Sequence, residues 1–250
     1  MEILNSYMVA ASLIFVYVTI LFIIAVIKKD NSIADIAWGT GFIIASVSVM
    51  LYQESFGLRN ILVTALVIIW GSRLSIRIFR RNRGKGEDWR YNRWREEWGR
   101  TFYPRSYLQV FILQGLLLLF NVSPVIIINS YKAQTGEWTD IAGLCLWLVG
   151  FYFESVGDWQ LDRFVRNPAN RGKIIQEGLW RCSRHPNYFG EITMWWGIFM
   201  IALGSLYGIY GIIGPVTITY LIVFVSGIPL AEKAMEQTPG FEEYREKTSV

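Results

Sequence analysis

The residues best suited to chemistry lie in the second half of the chain, at the end of an apolar segment. Glu154 and Asp158 are four residues apart and therefore share one face of a helix. Carboxylates inside an apolar segment cost free energy, and their presence is by default a sign of function. Arg163, Arg166 and Arg171 follow them directly. Because arginine binds phosphate through paired hydrogen bonds, this combination predicts a phosphorylated ligand of dinucleotide size.

A second candidate motif begins a helix. The run from Arg184 to Glu191 reads RHPNYFGE and contains the only histidine of the chain. Pro186 fits the first turn of a helix, where free N–H groups and a positive dipole end suit a phosphate or a carboxylate. A simple helix start with interfacial aromatic residues and one capping histidine is the alternative. The candidate ligand-binding residues of this run are Arg184, His185, Asn187, Tyr188 and Glu191.

A third polar stretch, residues 80–106, is rich in basic side chains. Glu87 and Asp88 lie among its arginines, which indicates internal ion pairs, and aromatic residues such as Trp89 and Tyr91 alternate with the charges. Two interpretations stay open for this stretch. It is either an anchor that touches anionic lipid headgroups or part of a functional site.

Several familiar nucleotide and metal motifs are absent from the sequence. No GxGxxG follows a strand, so a nucleotide is not bound in the Rossmann manner. No Walker A sequence exists, which argues against an ATP-driven pump. The HExxH pattern is missing and His185 is the only histidine, so no catalytic zinc or other metal is expected.

The elements that carry these motifs are predicted to be membrane-spanning helices. Of the 250 residues, 53% are hydrophobic and 18% are charged, against about 25% charged in soluble domains. A helix crosses the hydrocarbon core with about 20 apolar residues. Seven segments satisfy this: about Tyr7–Ile27, Ile33–Tyr52, Asn60–Phe79, Tyr107–Ile128, Ile141–Gly157, Tyr188–Leu206 and Gly208–Leu230.

The predicted fold is therefore an all-α polytopic membrane protein with one integral membrane domain over residues 1–250. Spans one to three occupy residues 1–79, a basic cytoplasmic loop occupies 80–106, and spans four to seven with the ligand motifs and a cytoplasmic tail occupy 107–250. The first span lacks a basic leader and a cleavage-like site, so it is predicted to be a retained helix rather than a signal peptide.

The basic residues orient the chain. With seven spans, all Lys and Arg residues except Arg59 and Lys132 fall on the side of the C-terminal tail. The positive-inside rule places that side in the cytoplasm and the N-terminus outside. The membrane also explains the net charge of +4 better than a nucleic-acid partner does.

The run from Arg184 to Glu191 resembles the signature shared by membrane sterol reductases, steroid 5-alpha-reductases, and isoprenylcysteine and phospholipid methyltransferases. Three further stretches, 82–91, 158–166 and 178–180, resemble a bacterial branch of the steroid 5-alpha-reductase family. The resemblance covers about Asp35 to Tyr244. It implies seven transmembrane helices, a bacterial inner-membrane location, and NADPH in a cytoplasm-facing cavity. The implied reaction is reduction of the carbon–carbon double bond of an enone.

The resemblance also implies roles for individual residues. Asn187 and Glu191 contact the nicotinamide-bearing part of the cofactor, and Lys233 and Tyr244 close the cavity. The full set of implied cofactor-binding residues is Asp158, Arg163, Arg166, Arg171, Arg184, His185, Asn187, Tyr188, Glu191, Lys233 and Tyr244.

The catalytic pair departs from the family pattern. Eukaryotic members orient the steroid carbonyl with a glutamate and a tyrosine; the nearest match to the glutamate is Asp35, and the tyrosine position falls near Trp70-Gly71. Tyr91 is the candidate substitute. The developing enolate oxygen needs a hydrogen-bond donor in a dry site, either Asp35 kept protonated by burial or Tyr91. For Asp35, an interfacial helix N-cap is the alternative, and the departure leaves the steroid open as the substrate.

Two other functions stay open at this point. An S-adenosylmethionine-dependent isoprenylcysteine or phospholipid methyltransferase accounts for the Arg-His-Pro motif, but the six basic residues from Arg163 to Arg184 exceed what a cofactor without phosphate needs. A non-enzymatic lipid-binding or transport protein accounts for carboxylates in spans, but not for the crowded arginines. The expected partners are membrane lipids and a lipophilic small-molecule substrate, without nucleic acid or metal.

Overall fold

The structure, a computed structural model, describes residues 1–132 and 137–250. Helices dominate these residues, and the one isolated β-bridge recorded among them joins Ser183 to Ser249, so the predicted all-α class is confirmed. The chain divides into two compact units. Unit 1 contains residues 1–132 and Ala202–Ile213, and unit 2 contains Glu137–Ile201 and Gly214–Val250. The single domain predicted from the sequence stays a prediction.

Unit 1 is built around its three longest helices. Its α-helices are α1 (Glu2–Lys28), α2 (Ile33–Ile36), α3 (Trp38–Tyr52), α4 (Leu58–Asn82), α5 (Trp89–Trp98), α6 (Phe102–Ser106), α7 (Leu113–Asn121) and α8 (Ser123–Asn129). Helix α3 packs against α1 and α4. It approaches α4 so closely that a Cβ atom on Gly39 would lie 2.3 Å from the carbonyl oxygen of Gly71. Only glycine permits this crossing.

A buried polar network joins α3, α4 and α8 in unit 1. The Asn129 amide donates to the Thr64 hydroxyl at 3.0 Å and to the Ser46 carbonyl at 3.1 Å. The Asn60 amide donates to the Ile128 carbonyl at 2.9 Å. Buried polar groups are costly unless they are paired, so these bonds fix the helices in one register.

Unit 2 is dominated by one long helix. Its α-helices are α9 (Trp138–Arg166), α10 (Pro186–Ala202), α11 (Ile213–Tyr220), α12 (Ile228–Met235) and α13 (Phe241–Lys247). Glycines seven residues apart on α9 meet glycines seven residues apart on α10. A Cβ on Gly143 would lie 2.5 Å from the Gly197 carbonyl oxygen, and one on Gly150 would lie 2.6 Å from that of Gly190. Small residues let two helices approach closely in a membrane, and this seam sets their register.

Four helices in the described part of the chain are long and apolar enough to cross a membrane: Glu2–Lys28, Leu58–Asn82, Trp138–Arg166 and Gly208–Met235. A fifth candidate is the bent pair Trp89–Asn121 and Ser123–Asn129, with an angle of 54°. The four helices overlap the first, third, fifth and seventh predicted segments, and the bent pair overlaps the fourth. The number of spans in the structure is therefore four or five by length and composition.

The two remaining predicted segments form shorter helices. The second is divided at Ala37 into α2 and the 15-residue α3, and the sixth corresponds to the 17-residue α10. Neither reaches the roughly 20 residues that a full crossing needs. The apolar helices support an integral membrane protein, whereas seven spans and the orientation stay predictions.

Candidate functional site

The carboxylate of Asp158 and the amide of Asn187 form the centre of the candidate site in unit 2. Asp158 lies on α9 and is 3% exposed. Asn187 lies in the first turn of α10, which begins at Pro186 as predicted, and its amide nitrogen donates to Asp158 Oδ1 over 3.1 Å. The glycine seam brings them together, since a Cβ on Gly157 would lie 3.2 Å from the Asn187 backbone nitrogen.

The other end of the Asn187 side chain has an unused acceptor. Its Oδ1 is buried and has no hydrogen-bond partner among the residues that the structure describes. Because Nδ2 donates to a carboxylate, the amide orientation is fixed and the free atom is an oxygen. A buried acceptor without a partner costs about 1–3 kcal/mol. Such an atom is available to accept an N–H or O–H donor from a ligand.

Unit 2 also contains a cleft of about 410 Å³, which neither Asp158 nor Asn187 lines. Trp159, Gln160, Arg163, Phe164, Asn167, Asn170, Glu177 and Gly178 line it. Ligand sites usually measure about 300–1,000 Å³. The Arg163 guanidinium lies 5.7 Å from the centre of the Trp159 ring, so the cleft offers both a cation and an aromatic face.

The wall of the cleft is held by two hydrogen bonds to α9. The Leu179 backbone N–H donates to Gln160 Oε1 at 3.0 Å, and the Trp180 indole donates to the Gly157 carbonyl at 3.0 Å. Gly178 has a φ of +61°, and a Cβ there would lie 2.2 Å from the Gln160 amide nitrogen. Residues 178–181 are therefore fixed against α9.

Arg184 and His185 converge on one carboxylate, that of Glu232 on α12. Arg184 donates to Glu232 Oε1 from Nε at 2.9 Å and from a terminal nitrogen at 2.8 Å, and His185 Nε2 lies 3.2 Å from the same oxygen. Burial lowers the pKa of His185; Glu232 opposes this and Arg184 adds to it. His185 is therefore neutral at pH 7 and donates from Nε2.

Arg184 also holds the C-terminal segment. It donates to the carbonyls of Arg245, at 3.1 Å, and Thr248, and its backbone N–H donates to the Ser249 carbonyl at 2.8 Å. The Tyr244 hydroxyl donates to the Trp180 carbonyl. Burial raises the pKa of Tyr244 to about 12, although the positive charge of Arg184 opposes the change.

The remaining predicted cofactor residues are spread over the surface of unit 2. Arg166, Arg171 and Lys233 are exposed, and none of them lines the cleft. The Tyr188 ring stacks on His185 with 5.6 Å between ring centres. Glu191 lies one turn after Asn187 on α10 and is half-buried.

In unit 1 the predicted catalytic pair is brought together. The Tyr91 hydroxyl donates to Asp35 Oδ1 at 2.9 Å, and Arg90 donates to Asp35 Oδ2 at 2.6 Å. Both oxygens of Asp35 accept hydrogen bonds, so Asp35 acts as an acceptor here and Tyr91 as a donor. Tyr91 is 2% exposed.

Ion pairs attach α5 to the loop before α2. Arg95 binds Glu87 at 2.9 Å, and Glu87 accepts from the Asn31 backbone N–H at 2.8 Å. Asp88 caps α5 by accepting from the Arg90 backbone N–H at 3.0 Å. Burial raises the pKa of Asp88, but its hydrogen bonds with Arg90 outweigh this effect and the pKa is lowered. The ion pairs that Glu87 and Asp88 indicated in the sequence are confirmed.

Sequence reasoning missed Glu232 and Gln160 as site residues. Glu232 was visible as a carboxylate at the end of the last apolar segment, where Arg184 and His185 needed a counter-charge. Gln160 gave no signal, since its role depends on the turn at Gly178. The described residues contain no group of three or more His, Cys, Asp or Glu side chains that could hold a metal ion.

Comparison with known proteins adds a family. The family described as "Protein of unknown function (DUF1295)" matches residues 21–248. An uncharacterized protein of Schizosaccharomyces pombe is 27% identical over 97% of this chain and 78% of its own length. The 3-oxo-5-alpha-steroid 4-dehydrogenase 1 of Rattus norvegicus is 32% identical over 41% of each chain, and that of Mus musculus is 33% identical over 33% of each. These two matches span less than half of the rodent enzymes. No solved structure matches the chain significantly.

Proposed function

The chain belongs to the DUF1295 family, which is related to steroid 5-alpha-reductases, and from this premise we propose that it is a membrane-embedded, NADPH-dependent reductase. The substrate class that we propose is a lipophilic enone, steroid-like or otherwise, whose carbon–carbon double bond is reduced. The proposed setting is the inner membrane of a bacterium, with seven spans, the N-terminus outside and the site open to the cytoplasm.

The observation that carries this proposal is the free acceptor of Asn187. A nicotinamide carries a carboxamide whose N–H groups are donors, so Asn187 Oδ1 fits it. Asp158 positions Asn187 by accepting its Nδ2–H at 3.1 Å. Because α9 and α10 are locked by their glycines, this pair is preorganised and pays little ordering entropy on binding.

The cations of unit 2 suit the phosphorylated part of the same cofactor. Arg163 lines the cleft of about 410 Å³, and Arg166 and Arg171 are exposed near it in sequence. Arginine pairs with phosphate oxygens bidentately, and the aromatic face of Trp159 suits a base or a ribose. When bound, the cofactor would supply the hydride, and the protein would supply binding and orientation.

For the substrate carbonyl we propose Tyr91 as the hydrogen-bond and proton donor. Asp35 positions the Tyr91 hydroxyl by accepting from it at 2.9 Å, and Arg90 holds Asp35. The Tyr91 O–H would exchange Asp35 for the developing enolate oxygen, a contact that strengthens as negative charge forms. Asp35 thus serves as a positioning residue for Tyr91.

The cofactor is tested first by binding. Detergent-purified protein is denatured, the released small molecules are identified by mass spectrometry, and fresh protein is titrated with NADPH and with S-adenosylmethionine. The proposal expects NADP(H) or NADPH binding that weakens in Asn187→Ala and persists in Gln237→Ala, an exposed control on unit 2. Binding of S-adenosylmethionine alone would make the chain a methyltransferase and overturn the proposal.

A further inference from the structure

A surface of six exposed cations remains outside the proposed reductase site. It lies between the end of α4 and the start of α7 and consists of Arg80, Arg81, Arg83, Lys85, Arg100 and Arg105. None of these six forms an ion pair among the residues that the structure describes. We refer to the six as the basic surface.

Three of the four carboxylates in this stretch bind other arginines. Glu87 binds Arg95, Asp88 binds Arg90, and Glu97 binds Arg93. The six cations of the basic surface outnumber the carboxylates left to them, so their partner is expected to be an anion from outside the chain.

At two places in the sequence, exposed apolar side chains adjoin the cations of the basic surface. These two places indicate the depth at which the anion lies. On α4, Ile76 and Phe79 are 50% and 52% exposed, and Arg80 follows at once. After Arg105 the pattern reverses, because Leu108 is 60% exposed. Exposed apolar side chains on membrane-spanning helices face hydrocarbon, so the cations between these two places lie at the level of the lipid headgroups.

Exposed aromatic residues support this position. Trp89 is 61% exposed and Tyr103 is 43% exposed, and both lie within the same stretch. Tryptophan and tyrosine are enriched at the membrane–water interface, where one end of the ring is apolar and the other is wet. The Arg105 guanidinium lies 6.0 Å from the Trp98 ring centre, which leaves its N–H groups to bind an anion.

We propose that the basic surface binds the phosphate groups of anionic phospholipids. Arginine matches a phosphodiester in charge and geometry, and clusters of four to eight Lys or Arg residues beside a membrane-spanning helix attract anionic lipids. The loop backbone leaves room for a headgroup, since a Cβ on Gly84 or Gly86 would meet nothing within 4 Å. This binding is independent of the reductase chemistry.

Native mass spectrometry of the detergent-purified chain tests the proposal. The protein is titrated with phosphatidylglycerol and with phosphatidylcholine, and the ratio of bound lipids is compared between two variants. The test variant combines Arg80→Gln, Arg81→Gln, Arg83→Gln and Lys85→Gln. The control removes four exposed cations elsewhere through Lys132→Gln, Lys173→Gln, Arg181→Gln and Arg245→Gln.

The native chain and the control are expected to prefer phosphatidylglycerol, and the test variant is expected to lose that preference by on the order of 100-fold. The proposal would be overturned if the test variant preferred phosphatidylglycerol as strongly as the control does. So would displacement of phosphatidylglycerol by an equal concentration of inorganic phosphate, because a free phosphate would then be the ligand. Melting curves of both variants establish that the loss does not come from unfolding.

Discussion

The polar cluster around Asp35 in unit 1 and the one around Asp158 in unit 2 differ in how completely their groups are paired. In unit 1, Asp35 accepts from both Tyr91 and Arg90, and Glu87 accepts from both Arg95 and Asn31. In unit 2, Asn187 donates to Asp158 but keeps a buried acceptor without a partner in the described part of the chain. The pairing around Asp35 and Glu87 holds α5 in place, whereas the free acceptor of Asn187 stays available to a donor from a ligand.

The difference teaches that charge density alone does not locate a binding site. In the sequence, Arg90 and Arg95 look as suitable for phosphate as the arginines that follow Asp158. In the structure, both are already bound to carboxylates. Arg163 instead faces a cleft. We therefore propose Arg163 of unit 2, rather than Arg90 or Arg95, as a contact of the cofactor.

The largest expected effect concerns the hydrogen bonds of Arg184, whose side chain is 7% exposed and binds Glu232. Arg184→Ala would remove one of the two partners of the partly exposed Glu232 carboxylate and leave two carbonyls without this donor, at a cost of about 1–3 kcal/mol. Arg93→Ala, which breaks an exposed pair with Glu97 in unit 1, should cost at most about 0.5 kcal/mol. Melting temperatures in detergent measure the effects of both substitutions. Similar shifts for the two variants would contradict the expected difference in stability.

Tyr91→Phe tests the role assigned to unit 1. Removing the donor should lower the rate of NADPH oxidation, assayed with a 3-oxo-Δ4-steroid, by about 100-fold or more, while NADPH affinity stays unchanged. Tyr103→Phe, at an exposed tyrosine of the same unit, is the matched control. If Tyr91→Phe weakened NADPH binding and left turnover intact, the role proposed for Tyr91 would be wrong.

A smaller effect concerns pH. The pKa of His185 lies below its usual value of 6.5 in the folded protein, because burial disfavours the imidazolium. The unfolded chain therefore binds more protons as the pH falls below about 6.5, and stability decreases in that range. His185→Gln, whose amide can still donate to Glu232, should flatten this decrease. Melting temperatures at pH 5.5 and 7.5 measure the slope, and equal slopes would contradict the assignment.

The sequence predicted the helices better than it predicted the contacts between them. The helix start at Pro186, which the preference of proline for the first turn indicated, and the shared helix of Glu154 and Asp158 are confirmed. The contact between Asp158 and Asn187 depends on the register of α9 on α10, which close glycine approaches set in three dimensions. The break at Ala37 was also hidden, since the predicted segment from Ile33 to Tyr52 continues as apolar sequence.

The most direct test of the account measures the hydrogen bond assigned to Asn187. The purified chain is titrated with NADP⁺ and with its 3-acetylpyridine analogue, in which a methyl group replaces the carboxamide nitrogen. A neutral hydrogen bond contributes about 0.5–1.5 kcal/mol, so the native chain and Gln237→Ala should prefer NADP⁺ by up to about 10-fold. Asn187→Ala should bind both ligands equally. If Asn187→Ala kept the preference of the native chain, the proposed nicotinamide contact would be wrong.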